Sequence, residues 1–369
     1  MMIQSAGRVV YQYEPTGWSR EGFLKLGGFT VVFLNYNKMS MIRRSVDSVL
    51  AQDYPMLDIL LMDDASTDGS GEVMESLARQ YCGRHRVRVV RNDENQYITG
   101  QWNIAAKLAE GNWLGMFCGD DVAHPNRVSL AAERILKMPT LRGFSTASVD
   151  IDGRTGTVLP DSHYVPKPYV AHGKDGAEDL VRHFASNGAT SFWHISLFED
   201  PLPRVSLDDD YLHMRAYVLN AGVEGPIFFY DSSIQTIDYT IGVGISSGGG
   251  KFERSDSSWT KTWRQNVLRQ KHLSDISAKT LGRALDYARS KGVGYSFVRA
   301  FSAAVLQRRL KAGNTFSRLG LMPRLFYCVL RCDLSRQFKV QLLRRFAHDF
   351  CLELLGLRVA SWLSWLKHR

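Results

Sequence analysis

Residues 112–125 read NWLGMFCGDDVAHP, and the rest of the chain is organised around them. The apolar run 113–117 has the length and composition of a buried strand, and it ends abruptly in Gly119, Asp120 and Asp121. Adjacent carboxylates repel each other unless a cation sits beside them. In an open parallel sheet, the carboxyl end of a strand is also where ligands bind. Hard oxygen ligands of this kind suit a divalent cation, Mg²⁺ or Mn²⁺, holding a diphosphate. A solvated turn, or an N-cap for the helix after Pro125, is the plainer reading of the same residues.

Working outward, residues 29–37 (FTVVFLNYN) form a β-branched, apolar run ended by the turn formers Asn35 and Asn37. Ile42, Val46, Val49 and Leu50 then recur at helical spacing until Pro55 stops the helix. A second apolar run, 59–62, ends in DDASTDGSG (63–71), where Ser70 can cap a helix carrying Val73, Met74, Leu77 and Tyr81. VRVV (87–90) makes a third strand, and Trp102, Ala105, Ala106 and Ala109 mark a third helix closed by Gly111. Strands alternating with helices predict βαβ units and a mostly parallel sheet flanked by helices. Each strand run ends in polar residues: Asn35 and Asn37, Asp63 and Asp64, Asn92, Asp93 and Asn95, then Asp120 and Asp121. In a parallel sheet those ends share one edge, so four polar clusters converge on one crevice.

In that crevice Asp63 and Asp64 can accept hydrogen bonds from a nucleobase imide or a ribose hydroxyl. An Asx turn with helix capping accounts for Ser66 and Asp68 but not for a doubled Asp. No G-x-G-x-x-G follows the first strand and no G-x-x-x-x-G-K-[ST] occurs, which disfavours dinucleotide binding and P-loop hydrolysis. A diphosphate here would need another positive partner, and a metal on Asp120 and Asp121 supplies one.

VVFLNYNKMSMIRRSVDSVLAQDYP, then LLMDDASTDGS, then NDENQYITGQWNIAAKLAEGNWLGMFCGDD, taken in order, resemble the family-2 glycosyltransferases of the GT-A type over residues 29 to about 130. The resemblance implies a Rossmann-like α/β domain, inverting sugar transfer and a nucleotide-diphosphate sugar donor. It implies a nucleotide-sugar site built from Asn35, Asn37, Asp63, Asp64, Asn95, Asn103 and Asp120, with the metal on Asp120 and Asp121. Three departures stand out. Leu34 and Asn35 replace Pro or Thr–Ser before the Tyr-Asn pair, Tyr97 replaces a Gly, and Cys118 replaces the first Asp of D-x-D-D.

Inverting transfer also needs a base to take the acceptor's proton. SLDDDYLHMRA (206–216) is similar to the family's E-D-x-x-L-x-x-R element. This places Asp209 as the catalytic base, with Asp208 and Arg215 supporting it. Crowding among Asp208, Asp209 and Asp210 would raise at least one pKa, which suits a base near neutrality. A helix N-terminus favoured by its dipole is the structural alternative. Within residues 143–200, expected to shape the acceptor site, ASVDIDGRTGTVL (147–159) reads as a hairpin turning at Asp152 and Gly153. Ser191, Trp193 and His194 either meet sugars or belong to the core.

Composition sets the remaining bounds. The 369 residues are 44% hydrophobic, ample for a core. Residues 251–369 hold 24 Lys+Arg and 7 Asp+Glu, which leaves 22 and 30 of the chain's 46 and 37 for residues 1–250. An acidic front and a basic back imply separate tasks. Five cysteines without a C-x-x-C pair argue against a disulfide framework or a structural zinc, and for a reducing compartment. No signal-peptide core and no spanning apolar run is found, so a cytosolic location is expected.

The expected organisation is therefore an irregular lead-in over 1–28, a GT-A domain over 29–245 (donor half 29–125, acceptor half 126–245), a flexible Gly/Ser-rich loop over 246–259 and a basic helical region over 260–369. Aromatic and basic residues in 338–369 suit either an anionic membrane surface on the inner face of the plasma membrane or packing against the catalytic domain or a dimer partner; no nucleic-acid module is recognised. The expected acceptor is a glycan or lipid-linked hydroxyl in bacterial surface polysaccharide or lipopolysaccharide synthesis. The alternatives are a non-catalytic nucleotide-sugar-binding or assembly protein of the same fold, and a sugar-1-phosphate nucleotidyltransferase.

Overall fold

The computed structural model describes residues 7–153, 155–158, 168–173, 188–202, 208–220 and 223–241, with Ser290, Arg336 and Val340 as isolated positions. The expected Gly/Ser-rich loop and the basic C-terminal region lie outside the described residues. Two compact units are present, one covering 1–173 and 185–256, the other 174–184 and 257–369. All the elements below belong to the first.

The strands β1 (Arg8–Tyr13), β2 (Phe29–Asn35), β3 (Asp58–Asp63), β4 (Arg86–Arg91), β5 (Trp113–Cys118), β6 (Val122–Ala123), β7 (Gly143–Asp152), β8 (Tyr169–His172), β9 (Ser191–His194) and β10 (Pro226–Ile241) form one mixed sheet. Its order is β1-β4-β3-β2-β5-β9-β7-β10-β6, with β8 beside β10. The block β4-β3-β2-β5 is parallel throughout, as the alternation of strand and helix required. Between its strands run α2 (Ile42–Leu50), α3 (Ser70–Gln80) and α4 (Tyr97–Leu108); α1 (Arg20–Lys25) precedes β2 and α5 (Arg127–Ile135) follows β6.

Parallel strands covered on both faces read as continuous apolar runs, and β2, β3 and β5 do. Alternate residues Phe29, Val31, Phe33, Ile59, Leu61, Val87 and Val89 pack in one cluster with Ile42, Val46 and Val49 of α2, Met74 and Leu77 of α3, and Val128 and Ile135 of α5. α4 contacts β2 and sets Trp102 against Phe198 at 5.5 Å. Under α4, Asp58 at the start of β3 pairs with Arg86 at 3.0 Å and Arg88 at 2.6 Å. Arg88 also donates to the Leu108 carbonyl, so one buried carboxylate ties β3, β4 and the end of α4.

Two details correct the sequence reading. The lead-in is not irregular: β1 adds an antiparallel edge strand to β4. It is held by aromatic contacts, Tyr13 edge-on to Tyr81 at 5.5 Å and Arg79 over Tyr11 at 4.6 Å, which no periodicity within six residues reveals. Ser70 is also not the cap of α3. Gly69, at φ 85°, takes that position, and the Asp68 carboxylate accepts the Ser70 amide instead.

The hairpin after β7 is present, with Ile151 bridged to Val158. Ser191, Trp193 and His194 lie in β9, a central strand between β5 and β7, where Ser191 and Trp193 are buried in the core and His194 is half-buried. Burial pushes the His194 imidazole down to about 4, consistent with a neutral packed ring against Trp113. Among the described residues no helix is long and apolar enough to cross a membrane.

Replacing Asp58 with Ala is expected to destabilise the fold by about 3–5 kcal/mol, because it strands two buried guanidinium groups. Glu110, which pairs with the same Arg86 from a side chain 34% exposed, should cost no more than about 1 kcal/mol when replaced by Ala. Urea unfolding of the two variants measures the difference.

Candidate active site

The parallel block brings the ends of β2, β3, β4 and β5 to one edge, and the backbone stitches them beyond the strands. The Asp64 amide donates to Asn35 O, Asn92 to Asp63 O, and Gly119 to Leu34 O, at 2.9–3.0 Å. Gly119 is tightly enclosed there: an added Cβ would lie 3.1 Å from Asn35 Oδ1 and 3.2 Å from Leu34 O. Three non-glycine residues among those described have positive φ, and all lie in the loops of this edge: Asn37 (53°), Ala65 (60°) and Tyr97 (59°). Such conformations cost about 1–3 kcal/mol each and concentrate at functional sites.

The predicted nucleotide-side residues take different parts. Asn35 is fully buried; its amide donates to Asp63 Oδ1 (2.8 Å), Ser70 Oγ (3.0 Å) and Ser66 Oγ (3.2 Å). Asn37 is exposed and accepts the Thr67 amide at 2.8 Å, linking the first loop to the second. Asp63 is buried, and Arg91 lies 3.5 Å away. Helix α3 comes close enough that a Cβ on Gly71 would sit 2.6 Å from Asp63 Oδ2. Asp64 is 1% exposed. Its carboxylate accepts from Asn92 Nδ2 (2.7 Å) and the amides of Gln96 (2.8 Å) and Tyr97 (3.0 Å), so it organises the loop before α4. Burial raises its pKa despite those three donors. Asn95 Oδ1 accepts the same Tyr97 amide at 2.9 Å, holding Tyr97 in its left-handed conformation with the ring 64% exposed.

Asn103 faces away from that cluster. It forms a reciprocal pair with the backbone of Leu202, accepting at 2.6 Å and donating at 2.9 Å. Arg215, 1% exposed, grips the same segment, donating to the carbonyls of Leu197 (2.7 Å), Pro201 (3.0 Å) and Asp200. Arg215 belongs to α6 (Asp208–Leu219), whose first turn carries Asp208 and Asp209. The side chains of those two aspartates lie outside what the structure describes. Asn103 and Arg215 thus fix the chain that leads from the sheet into α6.

The acidic turn after β5 is the most charged part of the edge. Lys38 Nζ pairs with Asp120 Oδ2 at 2.8 Å, in side chains 12% and 16% exposed. Asp121 is 6% exposed; Oδ1 accepts the Thr240 amide at 2.9 Å, and Oδ2 is buried with no hydrogen-bond partner. Burial first, and the Asp120 charge second, hold the Asp121 carboxyl well above the usual range. Behind the turn Arg127 is 1% exposed, with burial pushing it down to about 9; it donates to Met116 O and Ala189 O and stacks over Phe117 at 3.9 Å. Cys118, Asp120 and Asp121 offer ligand atoms all within 4.8 Å of one another. A buried carboxylate oxygen left without a donor is the kind of group a cation satisfies, so these residues fit a divalent ion. Lys38 and Arg127 were not singled out in the sequence. Lys38 follows the Asn35–Asn37 cluster directly, and that adjacency was the available signal.

The family model for glycosyl transferase family 2 matches residues 30–167, the segment that supplies the four loops. Over this segment the chain is similar to the family-2 glycosyltransferases. Chondroitin synthase of Pasteurella multocida (strain Pm70) is 32% identical over 132 residues, 36% of this chain and 13% of that protein. EpsE of Bacillus subtilis (strain 168), named as a glycosyltransferase, is 29% identical over 142 residues, 38% and 49% respectively. The chain therefore spans half or less of the length of these relatives. Among solved structures, S. aureus TarS 1-349 in complex with UDP-GlcNAc aligns with TM-score 0.48 and 18% identity, over 86% of this chain and 89% of that one.

Replacing Asp121 with Asn should raise the melting temperature in the presence of a chelator, since it removes a buried carboxyl that must take up a proton as the chain folds. The wild type should gain about 2.7 kcal/mol at a Mn²⁺ concentration a hundred times its Kd, and Asp121→Asn should gain little. A thermal shift series with Mn²⁺ and with chelator checks both.

Proposed function

We propose that this chain is a family-2 glycosyltransferase that moves a sugar from a nucleotide-diphosphate sugar to a hydroxyl of a glycan or lipid-linked acceptor, with inversion, in bacterial surface polysaccharide synthesis. The observation that carries this reading is the position of Asp120 and Asp121. They sit at the end of β5, at one sheet edge with the loops after β2, β3 and β4, and one buried Asp121 oxygen has no donor. Similarity to proteins named chondroitin synthase, and to the succinoglycan biosynthesis protein ExoO of Rhizobium meliloti (28% identical over 110 residues, 30% of each chain), supports the polysaccharide class.

In this reading Asn35, Asn37, Asp63, Asp64 and Asn95 form the nucleoside end of the donor site. Asp64 Oδ2 accepts one hydrogen bond, from Tyr97, and has capacity for another. Because Asp64 is buried, a base reaches it only when the loop 92–97 shifts. Asp120 and Asp121 form the diphosphate end, and Mg²⁺ or Mn²⁺ held there would neutralise charge on the departing nucleotide. Lys38 provides a second positive group beside Asp120. Asp209, in the first turn of α6, takes the acceptor's proton during attack on the anomeric carbon, and the new glycosidic bond forms as the bond to the diphosphate breaks. Asp208 supports it by like-charge crowding. Asn103 and Arg215 act through position, holding residues 197–202 so that α6 enters at a fixed place. A cytosolic enzyme resting on the membrane through 338–369 would share a surface with a lipid-linked acceptor.

The test is Asp209→Asn. It should lower kcat for transfer by about 10²–10⁴-fold, the usual contribution of general base catalysis, and leave the donor Kd within about threefold. Donor affinity and transfer lost in parallel would remove Asp209 from the role of base.

A further inference from the structure

The family pattern has an aspartate where this chain has Cys118, and the structure gives that cysteine a place in the acidic turn rather than beside it. Its Sγ lies within 4.8 Å of a carboxylate oxygen from each of Asp120 and Asp121. Two ligands on opposite sides of one ion stand at most about 4.5 Å apart, given metal–sulfur and metal–oxygen bonds of about 2.3 and 2.0–2.2 Å. At most one of the three pairs can stand opposite across an ion, so the side chains would draw together by up to about an ångström to meet on one. The second observation is independent of the cysteine: Asp121 Oδ2, buried in a residue 6% exposed, has no hydrogen-bond partner and belongs to the same turn.

The surroundings decide which ion such a site would hold. Cys118 is half-buried, and Arg127 stands close enough to interact with it electrostatically. The thiolate is the form of cysteine that ligates metal. An all-carboxylate turn is hard and suits Mg²⁺, whereas a thiolate shifts preference toward softer ions along the order Mn²⁺, Co²⁺, Zn²⁺. We propose that the Cys118 thiolate is the third protein ligand of the Asp120–Asp121 site and biases it away from Mg²⁺ toward thiophilic divalent ions. On binding, the thiol proton leaves to solvent and the sulfur lone pair forms the metal–sulfur bond. No oxidant or reductant is involved. The inference deepens the proposed function by fixing the chemistry of its metal, but the ligand assignment can be read without any sugar transfer.

The experiment is a titration of the full chain with Co²⁺ alone, without nucleotide and in a non-thiol reductant. A thiolate bound to Co²⁺ gives a near-ultraviolet charge-transfer band that carboxylates do not give. The wild type should show this band saturating at one ion per chain, and Cys118→Ser should lose it while melting as the wild type does. Cys82→Ser, which changes an exposed cysteine elsewhere in the fold, should keep it. Cys118→Ser should also weaken Co²⁺ binding by about tenfold or more, since even loss of an outer-shell partner costs about 10–100-fold. Cys118→Asp should restore tight binding with the preference turned toward Mg²⁺. Co²⁺ binding without the band, a band undiminished in Cys118→Ser, or no Co²⁺ binding would each overturn the assignment. A band at Cys118 without transfer from any donor would defeat the transferase reading alone, and transfer without the band would defeat the ligand alone.

Discussion

Two adjacent carboxylates cannot stay ionised in one half-buried turn unless positive charge or hydrogen-bond donors come to them. Much of the described site is arranged around that constraint. Lys38, from the loop after β2, pairs with Asp120, and Thr240, from the far strand β10, gives its amide to Asp121. Arg127 remains buried behind the turn, held by Met116 O, Ala189 O and the face of Phe117. These contacts come from distant parts of the chain, yet they leave Asp121 Oδ2 without a donor. The fold brings charge close to compensation and leaves one carboxylate oxygen without a donor, the opening that the proposed cation would fill.

The neighbouring loops show the same economy. Asn35 spends one amide group on three oxygens, from the end of β3, the loop after it and the start of α3. Asp64 does the converse, accepting from three donors that shape the loop before α4. Their burial means that both act first as architecture for the crevice. The strained backbone at Asn37, Ala65 and Tyr97 is what such tight loops require, and side-chain acceptors meet it: Asn37 is tied to Thr67, and the Tyr97 amide is shared between Asp64 and Asn95. Where the family has glycine, this chain uses Tyr97 and two acceptors on one amide. On the other side of the sheet end, Asn103 and Arg215 hold residues 197–202 through backbone carbonyls and an amide. Helices α4 and α6 are thereby fixed to one segment.

The parallel block was legible because its signals are local. Runs of four to seven apolar residues, helical spacing between them and polar residues at each run's end are all contained within short windows. The shared edge then followed from topology alone. What stayed hidden depends on contacts far apart in sequence. The strand β1 is held by Arg79 near the end of α3 and by Tyr81 just beyond it, some seventy residues away. The Asp121–Thr240 bond spans 119 residues, and no spacing rule anticipates it. Asn103 and Arg215 were found through the family's motif, but their partners are main-chain groups, which carry no sequence signature. Cys118 was legible only as a departure; its meaning depends on the distance to two carboxylates, which the sequence cannot supply.

The central claim is that the edge formed by β2 to β5 binds a nucleotide-diphosphate sugar through a divalent ion on the acidic turn. Calorimetric titration of the wild type with a panel of nucleotide-diphosphate sugars, in Mn²⁺ and again in excess chelator, tests it most directly. The account predicts that one donor binds in Mn²⁺ and loses nearly all affinity in chelator. Folded, metal-supplied protein that binds no donor, or that binds one equally well in chelator, would contradict it.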